Sequence, residues 1–227
     1  MADAETQPKK KSDLSVRLAS AIVMLAVSGT AAWLDGVWLD GFILAVGFAC
    51  LLEFARLLSD IVKPGLGRIA ALLGAWGYVG LAVWTLIKLP LPVVLGVVGL
   101  VIATDVGAYF SGRSIGGPKI APKISPSKTW AGLLGGMLAA GLVSAGVFAW
   151  NTGSPQLRAM LFIAFAIGAG LAVLAQAGDF FESWLKRRAG VKDSSNLIPG
   201  HGGVFDRVDG LLPVAIASGI LWTLHPA

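Results

Sequence analysis

"RAMLFIAFAIGAGLAVLAQAGDFFESWLKRR" (residues 158–188) sets the reading of the whole chain. Twenty residues, Ala159 to Gly178, carry no charged side chain, which is the length a helix needs to cross a bilayer. The run then turns abruptly polar. Asp179, Glu182, Ser183 and Lys186 stand at i, i+3, i+4 and i+7, so on a helix they share one stripe, while Phe180, Phe181, Trp184 and Leu185 take the other faces. A helix end lying on lipid headgroups accounts for Lys186, Arg187 and Arg188. It does not account for an acid, Asp179, at the membrane boundary.

Six further apolar stretches lie outward from this one, at about 15–34, 38–58, 69–87, 91–111, 130–150 and 210–224, the last of them short. Of 227 residues, 56% are hydrophobic and 14% charged, and the mean hydropathy is +0.76. A soluble domain carries nearly twice that share of charge. The expected fold is all-α: a polytopic integral membrane protein of about seven transmembrane helices with two cytoplasmic polar loops. Residues 1–14 are expected to form a disordered cytoplasmic N-terminus, 15–90 the N-terminal helices and 91–227 the catalytic membrane region. Lys9, Lys10 and Lys11 before an apolar run resemble a signal peptide, but the six later segments favour a first membrane helix. The single cysteine, Cys50, lies in an apolar run and reads as a small core residue.

Lys and Arg counts orient the chain. With the N-terminus cytoplasmic, that side receives 16 of the 18 basic residues, and the other side receives only Lys88 and Arg158. The net charge of +5 therefore reads as basic loops beside anionic headgroups, not as nucleic-acid binding. The expected location is the inner (plasma) membrane, multi-pass, with loops 112–129 and 179–209 in the cytoplasm.

Polar residues inside or beside spanning helices are the functional candidates. Asp105, in "TDVGAYFSGR", either serves a site, pairs with a neighbouring Lys or caps a broken helix. Glu53 and Arg56, at i and i+3, read as an intrahelical pair. Asp206 and Asp209 are again i, i+3, at the expected start of the last helix, where the macrodipole alone would tolerate an acid. Facing Asp179, they suggest instead a carboxylate group that a hard cation such as Mg²⁺ would relieve. Lys186, Arg187, Lys192, His201 and Arg207 suit phosphate, and Gly200, Gly202 and Gly203 let backbone N–H groups approach an anion. The loop "GRSIGGPKIAPKISPSKTWAG" adds Arg113, Lys119, Lys123 and Lys128 with Ser125, Ser127 and Thr129; its end reads as a turn with Ser127 as a helix N-cap. No P-loop pattern and no Cys/His cluster of zinc spacing occurs. Oxygen ligands, Lys/Arg and a glycine loop suit phosphoryl or nucleotidyl transfer.

"SWLKRRAGVKDSSNLIPGHGGVFDRVD", Ser183 to Asp209, resembles the signature of the phosphatidate cytidylyltransferase (CDP-diacylglycerol synthase) family at every fixed position. "TDVGAYFSGR" and "PKISPSKTWAG" resemble two further family segments, with departures at Ser127 and Ala131, where the family has Lys and Glu. The resemblance implies a membrane enzyme that makes CDP-diacylglycerol and pyrophosphate from CTP and phosphatidate, with Mg²⁺ and a monovalent ion such as K⁺. It implies metal-binding acids at Asp179 and Asp206, with Lys186 and Arg207 beside them in catalysis. Substrate contacts are expected from Asp105, Lys123, Ser125, Lys128, Thr129, Ser183, Arg187, Lys192, Asp193, His201, Gly202, Gly203 and Asp209. His201 is left between binding phosphate, binding cytosine and fixing the glycine loop. The chain is shorter than typical members, and its N-terminal half is expected to shape the lipid groove or a homodimer contact. The rival chemistries are a CTP-dependent lipid kinase and, in another class, a transporter or scaffold.

Overall fold

The computed structural model describes residues 11–152 and 157–224. Its helices are α1 (Lys11–Leu34), α2 (Gly36–Ile61), α3 (Leu66–Lys88), α4 (Leu91–Ser114), α5 (Trp130–Thr152), α6 (Leu157–Arg188), the single turn α7 (Phe205–Val208) and α8 (Leu211–Leu224). A small antiparallel hairpin, β1 (Lys119–Ala121) and β2 (Ser125–Thr129), precedes α5. Each expected apolar segment falls within a helix, apart from Gly210, which separates α7 from α8. Residues 11–14, expected to be disordered, form the first turn of α1, and residues 1–10 lie outside the described residues.

Six helices, α1 to α6, are long and apolar enough to cross a membrane. The seventh expected segment, α8, has 14 residues, about 21 Å at 1.5 Å per residue against a hydrocarbon core of about 30 Å, so an exact count of seven is not confirmed. α8 is the shared inner wall of two sub-bundles. Leu212 and Ala215 pack into a core built by α2 and α3, and Val214 packs into one built by α4, α5 and α6. α6, at 32 residues or about 48 Å, runs well past the hydrocarbon and carries its polar stripe out with it.

Large side chains such as Leu25, Phe48, Ile102, Leu134 and Phe162 remain exposed on the outside, the arrangement of a bundle whose solvent is lipid. Close approach between helices is left to small residues. A side chain at Gly135 of α5 would overlap Ser111 Oγ of α4 and lie 2.9 Å from Gly107 O. One at Gly168 of α6 would lie 2.6 Å from Ala140 O of α5. Trp33, Trp38, Trp84, Trp150 and Trp222 gather at the helix ends away from the two long loops, as interfacial tryptophans do. At the loop end, Arg68 ties the α2–α3 connection by donating to the carbonyls of Ser59 and Val62.

Candidate active site

α6 ends in a hydrogen-bonded cap: Gly190 N–H donates to Arg187 O and Val191 N–H to Lys186 O. The chain then turns back on itself. Ile198 and Gly202 exchange backbone hydrogen bonds at 2.8 and 3.1 Å, and His201 N–H reaches Ile198 O. Gly202 sits at φ +85°, and a Cβ there would lie 2.8 Å from Asp206 Oδ2. At Gly203 a Cβ would overlap both Ser194 Oγ and Glu53 Oε2. These two positions are glycine because the backbone lies directly on carboxylates.

Asp206 stands on the single turn α7, not on a spanning helix as expected, because Gly210 breaks the chain before α8 begins. Its Oδ1 accepts from Lys186 Nζ at 2.6 Å. Its Oδ2 accepts from Gly203 N–H (2.7 Å), Ser194 N–H (2.9 Å) and Ser194 Oγ (3.0 Å). Burial would raise its pKa, but hydrogen bonding with Glu182, from Lys186 and from the amides of Gly203 and Ser194 outweighs it and holds the carboxyl well below the ordinary range. Lys186 bridges Asp206 and the buried Glu182, 2.6 Å from each. The ammonium expected to face phosphate is thus already neutralised by two acids.

The other end of the stripe faces a different group. Asp179 pairs with Lys128 of β2 and accepts from Ser183 Oγ at 3.3 Å. Lys128 also sits 5.9 Å from the centre of the Phe180 ring. Asp209 accepts from Gly210 N–H at 2.8 Å. Its carboxyl is pushed up to about 7, mainly by burial, then by the charge of Asp179 and more weakly of Asp105; Gly210 N–H and Lys128 oppose the rise. Asp105, Asp179 and Asp209 therefore act on one another, opposed by Lys128 and, at Asp105, also by Arg207.

The acids divide into two groups, about one turn apart along α6. Asp179 is paired with Lys128, and its charge acts on the neighbouring Asp209. Asp206 has both oxygens occupied by protein donors. Among the described residues no three His, Cys, Asp or Glu side chains converge as a finished metal centre.

The remaining expected residues are distributed around these groups. Thr129, not Ser127, caps α5: its Oγ1 accepts from Gly132 N–H at 3.0 Å. Strand pairing keeps 125–129 extended and so moves the cap two residues on. Ser125 pairs with Ala121 in the hairpin, and Lys123 is exposed at its turn. Arg187 joins α6 to that turn through Ile124 O at 3.4 Å. Lys192 and Asp193 are exposed. Arg207 donates to His201 O at 2.8 Å, and His201 Nδ1 is hydrogen-bonded to Ser20 Oγ at 2.8 Å. The amides expected to meet an external anion meet internal ones: Gly203 donates to Asp206, and Val204 and Phe205 donate to Glu53.

Glu53 is the residue the sequence did not place here. No ion pair joins it to Arg56 among the described residues; Glu53 is buried and Arg56 is exposed. The available signal was its phase: Glu53 follows Cys50 by three and precedes Leu57 by four, and both are core residues.

On its other face α6 lines an open apolar groove of about 500 Å³ with Gly178, Phe181, Trp184 and Leu185, bordered by Phe54 and Leu58 of α2, Ala75 and Tyr78 of α3 and Pro213 of α8.

The profile of the cytidylyltransferase family matches residues 66–225. Over 118 residues the chain is 48% identical to a phosphatidate cytidylyltransferase of Brucella suis, covering 50% of this chain and 40% of that protein. It is 42% identical over 163 residues to one of Pseudomonas aeruginosa (70% of this chain, 57% of that protein). It is 45% identical over 121 residues to one of Rickettsia bellii (51% of each). The chain spans about half the length of the curated relatives it matches.

Proposed function

The chain belongs to the cytidylyltransferase family, and from that premise we propose that it is a phosphatidate cytidylyltransferase acting at the cytoplasmic face of the inner (plasma) membrane. One observation carries the reading. The same turns of α6 present an acid and lysine stripe on one face and line an apolar groove with the other. A phospholipid needs both, its headgroup among charges and its chains among apolar side chains.

In the proposed reaction a phosphate oxygen of phosphatidate attacks the α-phosphorus of CTP. The new P–O bond forms as the bond to the β-phosphate bridging oxygen breaks, and pyrophosphate leaves. The attacking oxygen is already anionic, so the protein's task is positioning and charge neutralisation. Lys128, Lys123 and Arg187 from the hairpin and the end of α6 would receive the triphosphate, with Arg207 and Lys192 from the second loop. Mg²⁺ is proposed, on the resemblance, at Asp179, the acid that Lys128 pairs with at the end of the stripe. When bound there, it would supply neutralisation of the nucleotide's phosphates. Asp206 instead holds Lys186 and the glycine loop in register with this group. The monovalent ion is proposed on the resemblance alone.

The test is purified protein in detergent or nanodiscs with labelled CTP, phosphatidate and Mg²⁺, with EDTA as control. The expected products are CDP-diacylglycerol and pyrophosphate, with none in EDTA. Release of CDP and a newly phosphorylated lipid would establish a lipid kinase instead, and no turnover of CTP would refute both.

A further inference from the structure

Glu53 lies on α2, before the family-matched region begins, and it is 6% exposed. Four groups donate to its carboxylate: Ser195 Oγ at 2.6 Å, Ser194 Oγ and Phe205 N–H at 2.8 Å, and Val204 N–H at 3.0 Å. Ser195 Oγ accepts from Leu197 N–H, so its own proton is directed to Glu53. A carboxylate offers about four acceptor sites, and here all four contacts come from one loop.

The four donors come from both ends of that loop, which leaves α6 and returns to α7. Glu53 therefore closes the loop across its base. It also meets Asp206 through Ser194: the Ser194 hydroxyl lies 2.8 Å from Glu53 Oε2 and 3.0 Å from Asp206 Oδ2. Asp206 in turn holds Lys186. A continuous set of hydrogen bonds so runs from α2 through the loop to the polar stripe of α6. α1 adds a second contact at the loop tip, where Ser20 meets His201 and Arg17 packs on Gly200.

We infer that Glu53 is a positioning residue for the reaction: it touches no substrate, and it fixes the loop that holds Asp206 and Lys186 beside Asp179. This rests on the activity proposed above. The N-terminal helices thereby acquire a part in the chemistry, since Glu53 of α2 holds the base of the loop alongside Asp206. Replacement of Glu53 by glutamine keeps its size but removes the charge and turns an NH₂ group toward one serine hydroxyl, which can accept it, and one backbone N–H, of Val204 or Phe205, which cannot.

The experiment compares wild type with Glu53→Gln and Glu53→Asp in nanodiscs. Two readouts are taken: hydrogen exchange of the peptide covering 194–205 without substrate, and kcat and KM for CTP. For Glu53→Gln, exchange at Val204 and Phe205 should rise tenfold or more, as loss of hydrogen bonds to a charged group requires. With the loop misplaced, kcat should fall about 100-fold while KM for CTP moves less than about threefold. Glu53→Asp, which keeps the charge on a shorter stem, should recover part of both. Exchange in the other helices should stay at the wild-type rate, which a loss of general stability would not allow. If Glu53→Gln does not insert, Ser194→Ala/Ser195→Ala removes two of the donors while leaving the Val204 and Phe205 amides on the carboxylate, and should shift both readouts in the same direction. Wild-type exchange in the Glu53→Gln loop would overturn the inference, and so would faster exchange with unchanged kcat. Should the wild type itself make no CDP-diacylglycerol, the proposed activity fails, while the exchange contrast still decides whether Glu53 holds the loop.

Discussion

Asp206→Asn separates a loop anchor from a metal ligand. The side chain of Asp206 is only 5% exposed, so solvent replaces little of what is lost. Its partners are all donors: Lys186 on one oxygen, and Ser194 N–H and Gly203 N–H on the other, where the Ser194 hydroxyl also lies at 3.0 Å and shares its one proton with Glu53. An asparagine must turn its NH₂ toward one of these sets. Facing Lys186 is the lesser conflict, and it costs one charge-assisted hydrogen bond and places donor against donor. Hydrogen bonds to charged groups contribute about 1.5–3 kcal/mol, and breaking a buried pair costs about 3–5 kcal/mol, so a loss of about 2–5 kcal/mol is expected at this site. Displacement of the loop by even about 1 Å should lower kcat by 10²-fold or more. The assay is CDP-diacylglycerol formation over a Mg²⁺ titration, with Asp179→Asn in parallel. Asp206→Asn should lose kcat with its Mg²⁺ half-saturation near wild type, whereas Asp179→Asn should lose activity and require more Mg²⁺. Turnover within about threefold of wild type in Asp206→Asn, or a Mg²⁺ shift equal to that of Asp179→Asn, would refute the division of the acids into two groups.

Three further outcomes follow from the same geometry. Gly203→Ala forces a methyl group onto Ser194 Oγ and Glu53 Oε2, so it should open the loop and reduce kcat by about 10²-fold, checked by the same assay and by proteolysis between residues 190 and 205. Asp209 titrates in the folded state near about 7, against about 3.9 unfolded, so between these values the folded protein holds a proton the unfolded chain has lost. That stability is fully present below about pH 4 and is lost as pH rises through about 7; Asp209→Asn should flatten the pH dependence of thermal unfolding across this window. Gly135→Leu places a branched side chain where Ser111 and Gly107 of α4 already lie, so it should separate α4 from α5 and lower the melting temperature of the detergent-solubilised protein by several degrees or prevent its recovery.

Much of the site was legible because membrane chains make polarity informative. A carboxylate such as Asp179 after twenty uncharged residues has few reasons to be there, and the stripe from Asp179 to Lys186 follows from helical period alone. The partners of that stripe were not legible. Nothing local says that Asp179 meets Lys128, 51 positions earlier, or that Lys186 lies between Glu182 and Asp206. Glu53 shows the limit most clearly: its nearest opposite charge in sequence is Arg56, yet its partners are 141 to 152 positions away.

The sequence by itself determined the membrane class, the positions of the spans and the two loops that carry the polar chemistry, because hydropathy and period act over single helices and need no neighbour. Tertiary structure alone decided the roles within those loops: which acid pairs with Lys128, which are taken up by Lys186 and backbone amides, and that a helix far upstream anchors the glycine loop. Those roles depend on which donors reach each carboxylate, and in a bundle that is settled by how close glycine-lined helices come, not by the order of residues along any one of them.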